Sequence, residues 1–274
     1  KRIISFLSVA FLVCSCGLRN GEYVLQLLTT NDVHGAWFDS SYVGGRVKNS
    51  LYAGNHYVDS VRSVDGKDNV ILVDAGDCLQ GDNAPYYYNY VDTVPEHLFA
   101  RLAKYMKYDA ITVGNHDIET GHKVYDRVDR DLKDEGIPFL AANAIRNDNG
   151  KSYFQDYVCV EKGGLKVCIL GFTNPNMKEW LDESLFHGME FRSLIPFVQE
   201  EVDKVVRKEK PQVVVVSVHS GTGDGEKPSR WRLPCMFARP QAFCETGRRD
   251  LSHQFRQPFS FSRPRHDQIE SKAS

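Results

Sequence analysis

The alternation of short apolar segments with amphipathic segments, from Tyr23 to about Gly221, limits the fold more than any other feature of this chain. Four apolar, partly β-branched segments predict buried strands at Val24–Thr30, Asn69–Val73, Ala110–Val113 and Gln212–Val218. Three segments with one charged face predict helices at Glu96–Lys107, Lys123–Glu135 and Ile195–Lys210. A further pair of strands, Tyr157–Phe172, is predicted to turn at Lys162-Gly163-Gly164. This order predicts a layered α/β domain with ligand-binding residues at the carboxyl ends of strands.

Polar clusters follow each of the four predicted strands. They read Thr30-Asn31-Asp32-Val33-His34-Gly35, Asp74-Ala75-Gly76-Asp77, Gly114-Asn115-His116-Asp117 and Val218-His219-Ser220-Gly221. Each cluster alone is unspecific, but together they bring carboxylates, an amide and three imidazoles to one edge of the fold. This mixture of oxygen and nitrogen donors suits Zn²⁺, Mn²⁺ or Fe. The glycines allow sharp turns and a close approach of phosphate.

In this order, the segments DVHG, GD, GNHD and VHSG resemble the calcineurin-like metallophosphoesterase superfamily. The segments TTNDVHG and GNHDIE, with Leu170-Gly171-Phe172-Thr173, further resemble its 5′-nucleotidase branch. The resemblance extends from about Leu25 to Gly221. It implies a layered β-sandwich flanked by helices and a centre of two divalent metal ions.

The resemblance also implies which residues bind the metals. Asp32 and His34 correspond to ligands of the first metal ion, and Asn115 and His219 to ligands of the second. Asp77 corresponds to the carboxylate that bridges both ions. A bridging carboxylate keeps two cations close enough to act on one phosphoryl group.

Two further positions are expected to carry catalysis. His116 corresponds to the histidine that faces the substrate phosphate, and Glu119 to its acidic partner. Asp117 receives no ligand role, because its position varies between acids in the family, and Asp74 is interpreted as a structural cap of the turn that presents Asp77. Four other histidines have no partner pattern and are interpreted as surface residues: His56, His97, His122 and His187.

The expected function is hydrolysis of nucleotides or other phosphate esters outside the cytoplasm. A 2′,3′-cyclic-nucleotide phosphodiesterase is an alternative that uses the same metal site, and a non-catalytic metal- or phosphate-binding remnant is another. A purely structural domain would leave the four clusters unexplained. The formal net charge of −2 gives no reason to expect a nucleic-acid duplex or an anionic membrane as partner.

The segment 229–274 differs from the preceding catalytic domain, which we place at residues 23–228. It contains eight Arg but a single Lys, with scattered Pro and Phe and no periodicity. The fifth family motif, G-H-x-H, is missing where this change begins, and only the isolated His253 and His266 follow. A basic disordered tail and a foreign tail after loss of the reading frame are both possible, and we favour the second. The domain that contacts the nucleoside is then lost, or lies on another chain as in some relatives.

The first 16 residues resemble a secretory signal. Lys1 and Arg2 precede an apolar segment, and the ending Val13-Cys14-Ser15-Cys16 resembles a bacterial lipobox with Cys16 as the lipidated residue. We therefore expect a secreted or periplasmic protein or a cell-envelope lipoprotein of a bacterium, in contact with a membrane only through the lipid.

The cysteines do not suggest a disulfide framework. Cys159 and Cys168 flank the predicted hairpin turn and are placed to face each other across two strands. We favour the interpretation that both are small apolar strand residues.

Overall fold

The structure, a computed structural model, describes residues 21–41, 45–46, 50–220, 235–239, 242–243 and 259–261. Its strands are β1 (Gly21–Tyr23), β2 (Gln26–Thr30), β3 (Ser40–Ser41), β4 (Gly45–Arg46), β5 (Val70–Asp74), β6 (Ala110–Thr112), β7 (Phe139–Leu140), β8 (Ala144–Arg146), β9 (Tyr157–Lys162), β10 (Leu165–Phe172), β11 (Met189–Phe191), β12 (Val213–Val218), β13 (Cys235–Arg239), β14 (Ala242–Phe243) and β15 (Phe259–Phe261). Its α-helices are α1 (Leu51–Asp65), α2 (Asn83–Tyr86), α3 (Leu98–Met106), α4 (Asn115–Glu119), α5 (His122–Asp134), α6 (Met177–Trp180) and α7 (Leu194–Glu209).

Two larger sheets form the centre of the domain. The first has the strand order β2-β5-β6-β7, and all of its pairs are parallel. The second has the order β14-β13-β12-β10-β9, in which β10 and β12 are parallel and the other pairs are antiparallel. Parallel strands need crossover connections, which the helices between them supply.

Three clusters of buried apolar side chains hold the sheets and helices together. Between the two sheets, residues such as Ile71 and Val73 of β5 cluster with Val167 and Ile169 of β10. On the outer face of the first sheet, Leu72 joins a cluster with side chains of α1, α3 and α5. Residues of α7 cover the outer face of the second sheet. The predicted layered β-sandwich flanked by helices is therefore confirmed.

The strands and helices predicted from the sequence are all present, with ends that differ by one or two residues. The predicted hairpin forms between β9 and β10. Helix α1 was not predicted. Residues 1–16, including Cys16, lie outside the described residues, as do His253 and His266.

Three short strands, β13, β14 and β15, fall in the segment 229–274. The sequence pattern did not predict them, yet β13 adds to β12 and β15 pairs with β1. The remainder of this segment lies outside the described residues, so the unstructured tail stays a prediction. No membrane-spanning helix is found in the part of the chain that the structure describes.

The interpretation of Cys159 and Cys168 as unbonded apolar residues is wrong. They are directly opposite each other in the β9–β10 register and form a disulfide, with Cα atoms 4.0 Å apart. A separation of nine residues across a tight hairpin brings the two side chains to the same face of the sheet. Cys78 is a free cysteine and is buried.

Candidate metal centre

The turns that follow β2, β5, β6 and β12 bring the predicted ligands together. Asp32 and His34 follow β2, Asp77 follows β5, Asn115 begins α4 just after β6, and His219 follows β12. The parallel strands end at the same edge of the sheets, so residues far apart in sequence meet there.

Asp77 is the common member of two groups of candidate ligands. In one group, ligand atoms of His34, Asp77 and His116 all lie within 4.8 Å of one another. In the other, those of Asp32, Asp77 and His219 do so. Asp77 is 2% exposed, which is rare for a carboxylate without strong partners. Its place in both groups is the geometry that a bridging ligand requires.

His219 is oriented by a contact on the far side of its ring. Its Nδ1 lies 2.8 Å from the carbonyl oxygen of Ala75, so Nδ1–H donates to that oxygen. Nε2 consequently points into the centre, 3.0 Å from Oδ1 of Asn115 and 3.2 Å from Oδ2 of Asp77. Such outer hydrogen bonds fix the tautomer of metal-binding histidines.

Asp77 and His219 stabilise each other's charged forms. Burial by itself lowers the pKa of His219. The hydrogen bond to Asp77, the negative charge of Asp77 and the hydrogen bond to the Ala75 carbonyl outweigh burial and raise this pKa to about 9. Burial likewise raises the pKa of Asp77, and the hydrogen bond and charge of His219 more than offset it, so the pKa is lowered. A divalent cation held by His219 and Asp77 would replace the proton of His219.

His116 and Glu119 are in direct contact, one turn apart on α4. Nδ1 of His116 lies 2.6 Å from Oε2 of Glu119, so Nδ1–H donates to the carboxylate and Nε2 is left for a ligand or substrate. The backbone N–H of His116 donates to Oδ1 of Asp77 over 2.8 Å. Because His116 also belongs to the group with His34 and Asp77, its position is compatible with a ligand as well as with an acid–base group.

The backbone of three predicted ligands has an unusual conformation. Five non-glycine residues have positive φ among the described residues, and three of them are Asp32 (48°), His34 (46°) and Asp77 (62°). The other two, Lys107 and Lys210, end helices α3 and α7, where left-handed residues are common. Positive φ is unfavourable for residues with a β-carbon and concentrates at functional sites.

Asp117 holds the turn of Asp77 in place. Its buried carboxylate accepts hydrogen bonds from the backbone N–H groups of Asp77, Cys78, Leu79 and Gly114, at 2.8–3.0 Å. A β-carbon on Gly114 would clash with Oδ1 of Asp77, so glycine is needed for this close approach. Asp117 thus has a positioning role that sequence reasoning missed, since its position alone gave no signal of four converging donors.

Asp74 lies beneath the centre, and its contacts fit the predicted structural role. Oδ1 accepts from the N–H of Gly76 over 2.7 Å and from the Cys78 thiol over 3.1 Å, and Thr30 donates to Oδ2. Burial raises the pKa of Asp74 to about 7, although these hydrogen bonds oppose the shift.

The interpretation of His97 as a surface residue is wrong. His97 is 0% exposed, its Nε2 lies 2.9 Å from Oδ1 of Asn89, and its Nδ1 accepts from the N–H of Phe99 at the start of α3. His56 and His187 are exposed. His122 is partly buried, with Nδ1 3.1 Å from the Tyr153 hydroxyl.

The residues of the centre fit divalent cations. Two carboxylates, an amide oxygen and imidazoles with one nitrogen turned inward are the donor types that Zn²⁺, Mn²⁺ and Fe accept. The carboxylate of Asp77 is buried and belongs to both groups of donors, and its contacts include the imidazoles of His219 and His34 and the backbone N–H of His116. A buried carboxylate such as that of Asp77 is stable when cations neutralise its charge.

Sequence comparisons show which known proteins this chain is similar to. Protein UshA from Salmonella pullorum is 26% identical over 208 residues, which cover 75% of this chain and 36% of the relative. The 5′-nucleotidase of Vibrio cholerae is 25% identical over 201 residues, covering 73% and 34%. The snake venom 5′-nucleotidase of Naja atra is 28% identical over 208 residues, covering 73% and 37%. The chain therefore spans about a third of the length of these curated relatives. No family model matches the chain.

Solved structures share the fold. Calcineurin-like phosphoesterase YfkN from Bacillus subtilis has a TM-score of 0.66 and 23% identity, covering 76% of this chain and 65% of that chain. A putative 5′-nucleotidase from Staphylococcus aureus has a TM-score of 0.63 and 22% identity, covering 75% and 39%.

The domain thus has the fold of the calcineurin-like phosphoesterases, with the predicted ligand residues at its carboxyl edge. Within that class, its sequence homologues are the UshA proteins, the 5′-nucleotidases and YfkN. The resemblance that the sequence motifs predicted is confirmed.

Proposed function

We propose that this chain carries the catalytic domain of a metal-dependent nucleotide phosphoesterase of the 5′-nucleotidase type. The observation that carries the proposal is the position of Asp77, a buried carboxylate that belongs to two adjacent groups of ligand atoms. Asp32 and His34 would complete one metal position, and Asn115 and His219 the other. When held by these residues, two divalent cations would supply Lewis-acid polarisation of the phosphoryl group and would neutralise its charge.

His116 and Glu119 would together carry out the proton transfer to the leaving oxygen. Glu119 accepts the Nδ1–H of His116 and so keeps Nε2 directed away from α4, where it can donate a proton to the leaving oxygen. Phosphoryl transfer depends mainly on positioning and charge stabilisation, and both residues contribute to these.

We infer reduced competence for the chain as written, because the sequence lacks the G-H-x-H motif that supplies one more histidine to each metal in the family. Loss of a ligand weakens metal binding and removes support from the remaining ligands. A separate chain that carries a substrate-binding domain is a fitting partner.

A 2′,3′-cyclic-nucleotide phosphodiesterase is the second candidate. The same ligand set serves either reaction, and a relative that is 24% identical over 212 residues is named trifunctional nucleotide phosphoesterase protein YfkN of Bacillus subtilis. Hydrolysis of a diester and of a monoester therefore has to be measured side by side.

The disulfide supports a location outside the cytoplasm. Disulfides persist in oxidising compartments and are rare in the reducing cytosol, and Cys159 and Cys168 are paired across a hairpin. A secreted, periplasmic or lipid-anchored protein is consistent with this pairing. Attachment of the lipid to Cys16 is part of the same proposal.

The test is an assay of AMP, 2′,3′-cyclic AMP and p-nitrophenyl phosphate hydrolysis with saturating Mn²⁺ or Zn²⁺. We expect metal-dependent hydrolysis of AMP that chelation abolishes and that Asp77→Asn does not show. Hydrolysis of the cyclic diester in preference to AMP would favour the second candidate. Tight metal binding without hydrolysis of any ester would favour the non-catalytic remnant.

A further inference from the structure

A pair of exposed tyrosines lies beside the metal centre, on the segment that follows Gly81. Tyr86 is 64% exposed and Tyr90 is 50% exposed, and their ring centroids are 5.3 Å apart with an interplanar angle of 58°. Tyrosine rings usually bury much of their large apolar surface. Two neighbouring rings left open at the edge of a site are therefore a candidate binding surface.

One end of the tyrosine segment is attached to the turn that carries His34. The N–H of Asp82 donates to the carbonyl oxygen of His34 over 3.0 Å. Pro85 packs against Gly35 so closely that a β-carbon on Gly35 would clash with the proline ring. Pro85, the residue directly before Tyr86, is thereby held against the residue that follows the predicted metal ligand His34.

The other end of the segment is attached to helix α4. The hydroxyl of Tyr90 donates to the carbonyl oxygen of Thr120 over 3.3 Å, one residue beyond Glu119. Burial and then the nearby carboxylate of Glu119 raise the pKa of Tyr90, which keeps its ring neutral. Since the rings of His34 and His116 are only 5.1 Å apart, both attachments lie beside one centre.

We infer that Tyr86 and Tyr90 form a stacking platform for the nucleobase of a substrate whose phosphate lies at the metal centre. This inference rests on the proposed function and adds to it the residues that select the leaving group. The hydroxyl of Tyr90 is already engaged with Thr120, so the platform offers ring faces. Ring faces accept every nucleobase, and the platform therefore favours nucleotides as a class over phosphate esters without an aromatic group.

The first experiment compares AMP with ribose 5-phosphate, which has the same phosphate and sugar but no base. In the full chain with saturating Mn²⁺, Tyr86→Ala and Tyr90→Ala should each lower kcat/KM for AMP about tenfold, equivalent to about 1.4 kcal/mol. The value for ribose 5-phosphate should change less than twofold. Tyr90→Phe keeps the ring without the hydroxyl and should retain most of the preference for AMP.

Tyr105→Ala is the matched control, because Tyr105 is an exposed tyrosine of α3 in a different pocket, beside Lys104 and Glu135. It should leave both values unchanged. An equal fall for AMP and ribose 5-phosphate in the Tyr86 and Tyr90 variants would overturn the platform and show a structural role. No fall for either substrate would overturn it as well.

Adenosine binding separates this inference from the proposed function. Adenosine lacks phosphate, so its binding to the metal-free chain, followed by saturation-transfer NMR, does not require hydrolysis. If neither ester is hydrolysed, the proposed function fails. Weaker adenosine binding in Tyr86→Ala than in the unsubstituted chain and Tyr105→Ala would still support the platform, and equal binding in all three would refute it.

Discussion

At the scale of single residues, the proposed metal centre is tested most directly at Asp77, which belongs to both groups of candidate ligands. Asp77→Asn removes the charge that both metal positions share, while the amide keeps the size of the side chain. We expect most bound metal and nearly all phosphatase activity to be lost. Metal per chain is measured by elemental analysis, with the exposed Asp148→Asn as the matched control. Two metals per chain in Asp77→Asn would contradict a bridging role.

His116 tests whether chemistry and metal binding are separate functions of the centre. We expect His116→Ala to lower kcat by roughly 10²–10⁴, the usual contribution of a positioned acid–base group, with unchanged metal content. Glu119→Gln should give a smaller loss of kcat, since it leaves the imidazole in place. If His116→Ala loses metal together with activity, then His116 is a ligand, which its distance to His34 and Asp77 also permits.

At the scale of elements, the start of α3 makes the stability of the domain depend on pH. Burial, and then the positive charge of Arg127, lower the pKa of His97 to about 4, and Asp131 opposes them. Above pH 6.5 His97 is neutral in both the folded and the unfolded chain, and its contribution is fully present. As the pH falls from 6.5 to about 4, only the unfolded chain takes up the proton, so stability is lost, on the order of 3 kcal/mol in total.

Urea unfolding between pH 8 and pH 4 measures this loss. His97→Gln should be less stable at pH 8, because it disturbs the contacts to Asn89 and Phe99, but its stability should fall less steeply with pH. His56→Gln, at an exposed position of α1, should keep the slope of the unsubstituted chain. Equal slopes for all three proteins would show that His97 is not responsible.

Apolar periodicity in the sequence predicts most strands of the two larger sheets and most of the longer helices. Helix α1 shows why the same pattern fails to predict other elements. The buried face of α1 consists of Leu51, Asn55, Val58 and Arg62, so two of its four buried positions are polar. Arg62 is buried because its guanidinium donates to the carbonyl oxygens of Met106 and Lys107 at the end of α3. A pattern based on apolar residues cannot anticipate partners that come from another helix.

The candidate site likewise contains residues that the sequence motifs predicted and residues whose roles only the structure shows. The motifs named Asp32, His34, Asp77, Asn115, His116 and His219, and the structure brings these residues to one centre. The supporting contacts of Asp117 and the burial of His97 depend on backbone groups distant in sequence. Cys159 and Cys168 could be placed opposite each other from the hairpin turn, but spacing alone does not distinguish a disulfide from two apolar residues.

At the scale of the whole molecule, residues 229–274 are the segment in which the family's G-H-x-H motif is expected and is not found. We predict that replacing them with a segment that contains a G-H-x-H motif increases metal affinity and AMP hydrolysis strongly. Both proteins are assayed together with AMP and p-nitrophenyl phosphate at saturating Mn²⁺ or Zn²⁺. Comparable rates would mean that the missing histidines are dispensable or are replaced by His253 or His266.

The positive φ angles of Asp32, His34 and Asp77 imply that the residues proposed to bind metal lower the thermal stability of this domain. His34→Gly relieves an unfavourable backbone conformation and should raise the free energy of unfolding in EDTA by up to about 1 kcal/mol, at the expense of metal binding. Lys107→Gly, at the left-handed end of α3, should give a similar gain with metal binding intact. Selection for heat resistance alone would therefore favour the loss of residues proposed to bind metal. Glycine at the left-handed helix ends would give a similar gain in the free energy of unfolding without loss of metal binding.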